Sequence, residues 1–161
     1  LDRVEFEHAN AYRGAVGVAR ACRRGGMLDV HECDDVRGTH VDAVATEPYR
    51  TPSGFELLED DESVEVKTAA VEYGDGRAGR IKLKRANHDR LVDEDGSYAI
   101  VVLDDEANVL RAGLLKAHTV DAVVDGTWWD SGQSRRDDGP FRQLPWTQFF
   151  DSLDEPNGWS A

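Results

Sequence analysis

Two acids and a lysine in the stretch GFELLEDDESVEVKT, residues 54–68, carry the clearest chemical signal in this chain of 161 residues. If Asp60-Asp61 form a two-residue turn, the flanking strands pair so that Glu56 lies opposite Glu65, Leu57 opposite Val64 and Glu59 opposite Glu62. Alternation then sends Phe55, Leu57, Val64 and Val66 to a core face, and Glu56, Leu58, Ser63, Glu65 and Lys67 to the other. Opposed carboxylates about 5 Å apart at Cβ repel each other, so the pair calls for a compensating charge. A hard divalent cation such as Mg2+ takes oxygen ligands. A lysine one step along the same strand can steady a nucleophilic hydroxide or the charge that develops on a phosphorane.

An acid followed by E-x-K at the end of a strand is the signature of the PD-(D/E)xK nuclease superfamily, which this sequence resembles. The resemblance is carried by Gly54-Phe55-Glu56-Leu57 and Val64-Glu65-Val66-Lys67-Thr68. The pattern is most similar to the Mrr-type and NO VEIN-type branches, whose G-aromatic-acid-aliphatic strand precedes an EVK strand. A basic segment, a helix and the YAIVVL strand follow in a similar order, so the resemblance spans about residues 8–116. It implies an α/β restriction-endonuclease-like domain, a central mixed β-sheet flanked by helices, acting as a Mg2+-dependent deoxyribonuclease, with Mn2+ the alternative ion. In that family the first acid and the Glu of ExK bind the metal, the next carbonyl completes the shell, and the Lys assists attack on a phosphodiester. Carried over, these roles fall on Glu56, Glu65, Val66 and Lys67.

The first acid is usually Asp, and Glu56 is longer by one methylene. Asp42, in THVDAVA, is therefore its rival, and only one of the two should be a direct ligand. Some members add a metal-binding Glu from the first helix. Here the helix interior, YRGAVGVARAC, has no acid, leaving Glu5 and Glu7 at its start, where an acid is also ordinary because negative charge is favourable at helix N-termini. A second class of function is the same fold with a weakened site, holding DNA or a partner protein without cutting. A third, an acidic mimic of nucleic acid, predicts no dependence on a cation.

The net charge of −13 excludes a generally basic nucleic-acid coat. Asp outnumbers Glu 20 to 12 and Arg outnumbers Lys 15 to 4. Short, strongly hydrated carboxylates with few alkyl-ammonium chains suit molar salt, where charge is screened over about 3 Å, so the composition reads as that of a salt-adapted, halophilic protein. Against that background the segment RAGRIKLKRANHDR, residues 77–90, stands out with six basic residues and one acid. Lys82 and Lys84 lie in it and Lys67 just before it. A chain that otherwise avoids lysine keeps it where a polyanion could be gripped. Arg80, Lys82 and Lys84 alternate onto one strand face, and Arg85 and His88 extend the expected DNA-binding set to the following helix. A polar helix cap is the plain alternative for Asn87-His88.

The elements that must position these residues read as one domain, residues 1–161, with its core at about 8–116 and an extension at about 117–161. A helix is expected from His8 to Arg24, closed by Gly25-Gly26, then strands at Met27–Cys33 and His40–Thr46. After the 54–70 hairpin come a basic strand around Ile81 and Leu83, a helix over Ala86–Val92, and paired strands at Tyr98–Asp104 and Val109–Leu115. Thr119 is expected to cap a helix carrying Val120, Val123 and Val124. Residues 126–140 read as loop and Trp146–Leu153 as a last helix. His31, Cys33, His40 and Asp42 are zinc-ligand types, although strand alternation alone produces such spacing. Trp128-Trp129 and Phe149-Phe150 read as core or as the seam of a homodimer before they read as base-stacking platforms. The longest apolar run, Tyr98–Leu103, is far short of the roughly 20 residues that cross a bilayer, and no charged n-region opens the sequence. With two cysteines in neither a CxxC nor a zinc-knuckle pattern, a cytoplasmic chain with no membrane partner is expected.

Overall fold

The computed structural model describes residues 40–50, 56–130 and 139–154, with positions 14, 17, 18, 20–22, 27–29 and 38. Its centre is a mixed sheet of five strands in the order β1-β2-β5-β7-β8, comprising β1 (Met27–Asp29), β2 (Ala43–Ala45), β5 (Ser63–Ala70), β7 (Ser97–Leu103) and β8 (Val109–Lys116). Only the β5–β7 pair is parallel. All seven residues of β7 are buried. That burial on both faces is why SYAIVVL is continuously apolar after its first residue instead of alternating.

Each face of the sheet supports its own core. Val64 and Val66 of β5 join Ala99, Val101 and Leu103 of β7 on one side, with Ala21, Met27, Ala43, Ala45 and Leu58. Gly17, at a helical position, fits against β5 because it lacks a side chain. A Cβ there would stand 2.2 Å from the Thr68 hydroxyl. On the other side Ala69, Tyr98, Ile100 and Val102 pack against helix α1 (Arg85–Asp93), helix α2 (Ala117–Val124) and a ribbon of β6 (Arg80–Lys84) with β9 (Phe141–Pro145). Residues beyond 116 therefore belong to this core, since Ala117, Val120, Val124, Leu144, Trp146 and Phe150 all lie in it.

The expected 54–70 hairpin does not form. Glu62 N–H does bond Glu59 C=O at 3.2 Å, so the chain turns at Asp60-Asp61 as read. However, β4 (Glu56–Leu58) pairs with β3 (Tyr49–Arg50), while β5 pairs with β2 through Ala43↔Val64 and Val44↔Ser63. The tight hairpin would have set Glu56 against Glu65 and Glu59 against Glu62. Pairing with the apolar Ala43–Ala45 replaces the Glu56–Glu65 opposition and covers the edge of β5 with buried side chains. Two smaller expectations also change, and one strand is added. Helix α2 starts at Ala117, so Thr119 lies inside it and no side chain caps it. Phe141–Pro145, between the expected 126–140 loop and the expected last helix and given no element by the sequence pattern, is strand β9. The expected last helix contracts to a 3-10 turn at Trp146–Gln148. No helix among the described residues is long and apolar enough to cross a membrane.

Candidate active site

Glu65 and Lys67 are two apart on β5, so they share a face, and the observed register brings Asp42 to them. One step beyond the Ala43↔Val64 pair, Asp42 stands opposite Glu65. Its backbone N–H bonds the Val64 carbonyl at 2.9 Å. Its carboxylate then turns toward β5 and accepts the Val66 N–H at 2.8 Å through Oδ2. Glu65 is held from its own strand, where Lys67 Nζ lies 2.9 Å from Oε1. Each of two neighbouring carboxylates is therefore fixed by a different donor, which removes much of the rotamer freedom that a ligand would otherwise have to freeze.

The electrostatics of the pair are strained in a useful sense. Burial pushes the Glu65 carboxyl above its ordinary value, and the charge of Asp42 pushes in the same direction. Lys67 opposes both through its charge and its hydrogen bond, and His40 opposes them more weakly. A further positive charge beside Asp42 and Glu65 would resolve this competition. The available donors are two carboxylates and the Val66 carbonyl, all hard oxygen ligands that suit Mg2+ or Mn2+. Among the described residues no group of three His, Cys, Asp or Glu side chains gathers for a metal. Mg2+ tolerates a small protein donor set because it commonly keeps several of its waters. The residues present thus fit such an ion.

The surroundings differ sharply in charge. Beyond the start of β5 lies a cavity of about 450 Å3 lined by Glu59, Asp60, Asp61, Glu62, Glu94 and Asp95, together with Ser63. At that end Ser97 Oγ donates to Glu62 at 2.7 Å and Lys116 makes an ion pair with it, locking β5, β7 and β8 together. His40 is fully buried, with Nε2 2.8 Å from Glu94. His40, two residues before Asp42, also acts on the charge of Glu65. Strand β6, which packs against β5, exposes Arg80 and Lys82, leaves Lys84 half-buried, and buries Ile81 and Leu83.

Glu56 and His88 take positions other than those read from the hairpin and the helix cap. Glu56 lies on β4 with its backbone opposite Arg50, not opposite Glu65. His88 is fully buried, with Nδ1 2.7 Å from the Tyr98 hydroxyl and Nε2 2.9 Å from Asp121. It ties α1 to β7 and α2, and Trp128 packs on its ring at 5.4 Å. Burial, followed by the Glu65 charge, raises the Tyr98 hydroxyl above the usual phenol range, so this network stays protonated at its tyrosine. Arg85, at the start of α1, is exposed and 3.7 Å from Asp89. Glu5, Glu7, His31 and Cys33 lie outside the described residues.

The domain is thus an α/β fold whose mixed sheet carries an acid pair and a lysine at the meeting of β2 and β5. A family model described as the PD-(D/E)XK nuclease superfamily domain matches residues 5–151. The chain belongs to that superfamily, whose members are generally nucleases and typically use divalent metals. Comparison with curated proteins finds no match.

Proposed function

We propose that the protein is a Mg2+-dependent deoxyribonuclease with Asp42, Glu65 and the Val66 carbonyl as metal ligands and Lys67 as the catalytic cation. The observation that carries this reading is the β2–β5 register, which sets Asp42 across from the Glu-Val-Lys segment. Asp42 thus takes the role of first acid, for which Glu56 was the other candidate. When bound, the ion supplies Lewis-acid polarisation of a phosphoryl oxygen and offsets the charge that develops there.

The chain's own groups do the rest. The Val66 N–H fixes the rotamer of Asp42, and Lys67 fixes that of Glu65. With one fifth of its side chain exposed, Lys67 can also donate to a phosphoryl oxygen or an attacking water from the same position. The acidic cavity at the start of β5 repels a polyanion, whereas Arg80, Lys82, Lys84 and Arg85 attract one, so DNA approaches from the ribbon side. The composition supports work in concentrated salt and in the cytoplasm. The VEVK strand followed by a basic strand, a helix and the YAIVVL strand supports a place beside the Mrr-type and NO VEIN-type branches.

The test is DNA cleavage in molar KCl with and without Mg2+, comparing the parent with Glu65→Ala and Lys67→Ala. Cleavage should require the ion, and each variant should lose about 100-fold or more of it, the usual cost of removing one transition-state charge stabiliser. Ion-independent cleavage, or equal cleavage by the variants, rejects the assignment. Cation-dependent DNA binding without cleavage by the parent would favour the binding-module reading.

A further inference from the structure

We infer that the outer face of the β6–β9 ribbon binds DNA through unpaired bases, making single-stranded DNA the substrate class of this site. This rests on the nuclease reading above and adds to its basic strand the aromatic residues Phe141 and Trp129. The ribbon register, Lys82↔Gln143 and Lys84↔Phe141, sets those four side chains on one face with Arg80, while Ile81 and Leu144 point into the core. Trp129 then bridges to the far side of Phe141, with both backbone hydrogen bonds at 2.8 Å. The result is a transverse row running Lys84, Phe141, Trp129, flanked along the strand by Arg80 and Lys82.

The two neighbouring tryptophans have separate fates. Trp128 packs on buried His88, whereas Trp129 is 38% exposed, one of only two large hydrophobic side chains that open among the described residues. Trp129 meets Phe141 edge to face at 5.7 Å. Each ring also carries a cation, with Lys82 Nζ 4.8 Å from the Phe141 centroid and the Arg142 guanidinium 5.1 Å from that of Trp129. Duplex DNA offers phosphates to the cations but hides its base faces. Only unpaired bases can use the aromatic half of the row, and stacking of this kind is indifferent to sequence. Row positions on β6 recur about every 6.6 Å, so cations and rings can alternate between phosphates and bases of one extended strand.

The test uses the full chain carrying Glu65→Gln, so that bound DNA is not cut, and fluorescence anisotropy with three labelled probes. These are a mixed-sequence single strand, its blunt duplex, and an abasic strand of equal length. The single strand should bind more tightly than either of the others. Trp129→Ala should weaken single-strand binding by about 10- to 100-fold with little change in salt slope, because the substitution removes no charge. Trp129→Phe should restore most of the affinity, which separates loss of stacking from loss of fold. Lys82→Gln should reduce the log–log salt slope by about 0.7. Equal affinity for duplex or abasic strand, or no effect of Trp129→Ala, overturns the inference. So does dimerisation through Trp129 in place of DNA binding. Cleavage by the parent separates the two levels: single-strand binding without cleavage defeats the nuclease reading alone, and cleavage with duplex preference defeats this inference alone.

Discussion

Asp42→Asn separates charge from geometry at the site. The amide oxygen can still accept the Val66 N–H, now 2.8 Å from Oδ2, so the buried donor keeps a partner. Asp42→Ala would instead orphan that N–H at a cost of about 1–3 kcal/mol, which would blur any effect on the ion. A divalent ion that binds only the folded chain stabilises it by about 2.7 kcal/mol at 100 times its dissociation constant. For a chain of this size that corresponds to a rise in Tm of about 5–11 °C. If loss of one carboxylate weakens the ion 100-fold, the same Mg2+ concentration adds only about 0.4 kcal/mol, a rise of about 1–2 °C. Thermal unfolding followed by circular dichroism, in EDTA and across a Mg2+ series, should therefore show the shift in the parent and in Glu56→Gln. It should nearly vanish in Asp42→Asn. The full shift in Asp42→Asn, or its loss in Glu56→Gln, would refute the β2–β5 register as the source of the first ligand.

The Glu65 carboxyl is raised by burial, so between its ordinary value of 4.5 and its folded value the native chain holds a proton that the unfolded chain has released. Stability from this residue is therefore full below that window and lost as pH rises through it. In urea titrations with EDTA, Glu65→Gln should gain on the parent as pH rises from 4 to 7, and parallel profiles would contradict the burial argument. His88→Leu leaves the Tyr98 hydroxyl without its partner and should lower stability by about 1–3 kcal/mol, while DNA affinity stays at the parental value. A selective loss of DNA affinity would return His88 to the binding surface. Changing Arg80, Lys82 and Lys84 together to Gln should flatten the salt dependence of single-strand binding by about 0.7 for each phosphate no longer neutralised and spare the Mg2+-induced thermal shift. An unchanged slope would make this row an ordinary solvated face.

What could be read without coordinates follows from what a side-chain pattern encodes. Ser97–Leu103 and Val109–Lys116 were legible because a continuous apolar run beside a mixed one specifies a central strand and its neighbour. The basic strand was legible because its exposure alternates. Alternation reports which face a residue takes and is silent on which strand lies beside it. The Asp60-Asp61 turn was therefore read correctly while the pairing of its two arms was not. FRQLP lacks alternation and ends in proline, so β9, and with it the setting of Phe141 and Trp129, could not be seen until β6 supplied a partner. The one clue to the true register was energetic: the tight hairpin needed two pairs of opposed glutamates, whereas Ala43–Ala45 offered β5 an apolar edge. At the site itself the same reasoning runs in reverse. Asp42 and Glu65 remain opposed even though each has found a donor, and Glu65 stays raised despite Lys67 at 2.9 Å. An opposed acid pair on a buried strand face is the kind of local conflict that the proposed metal-binding role would account for.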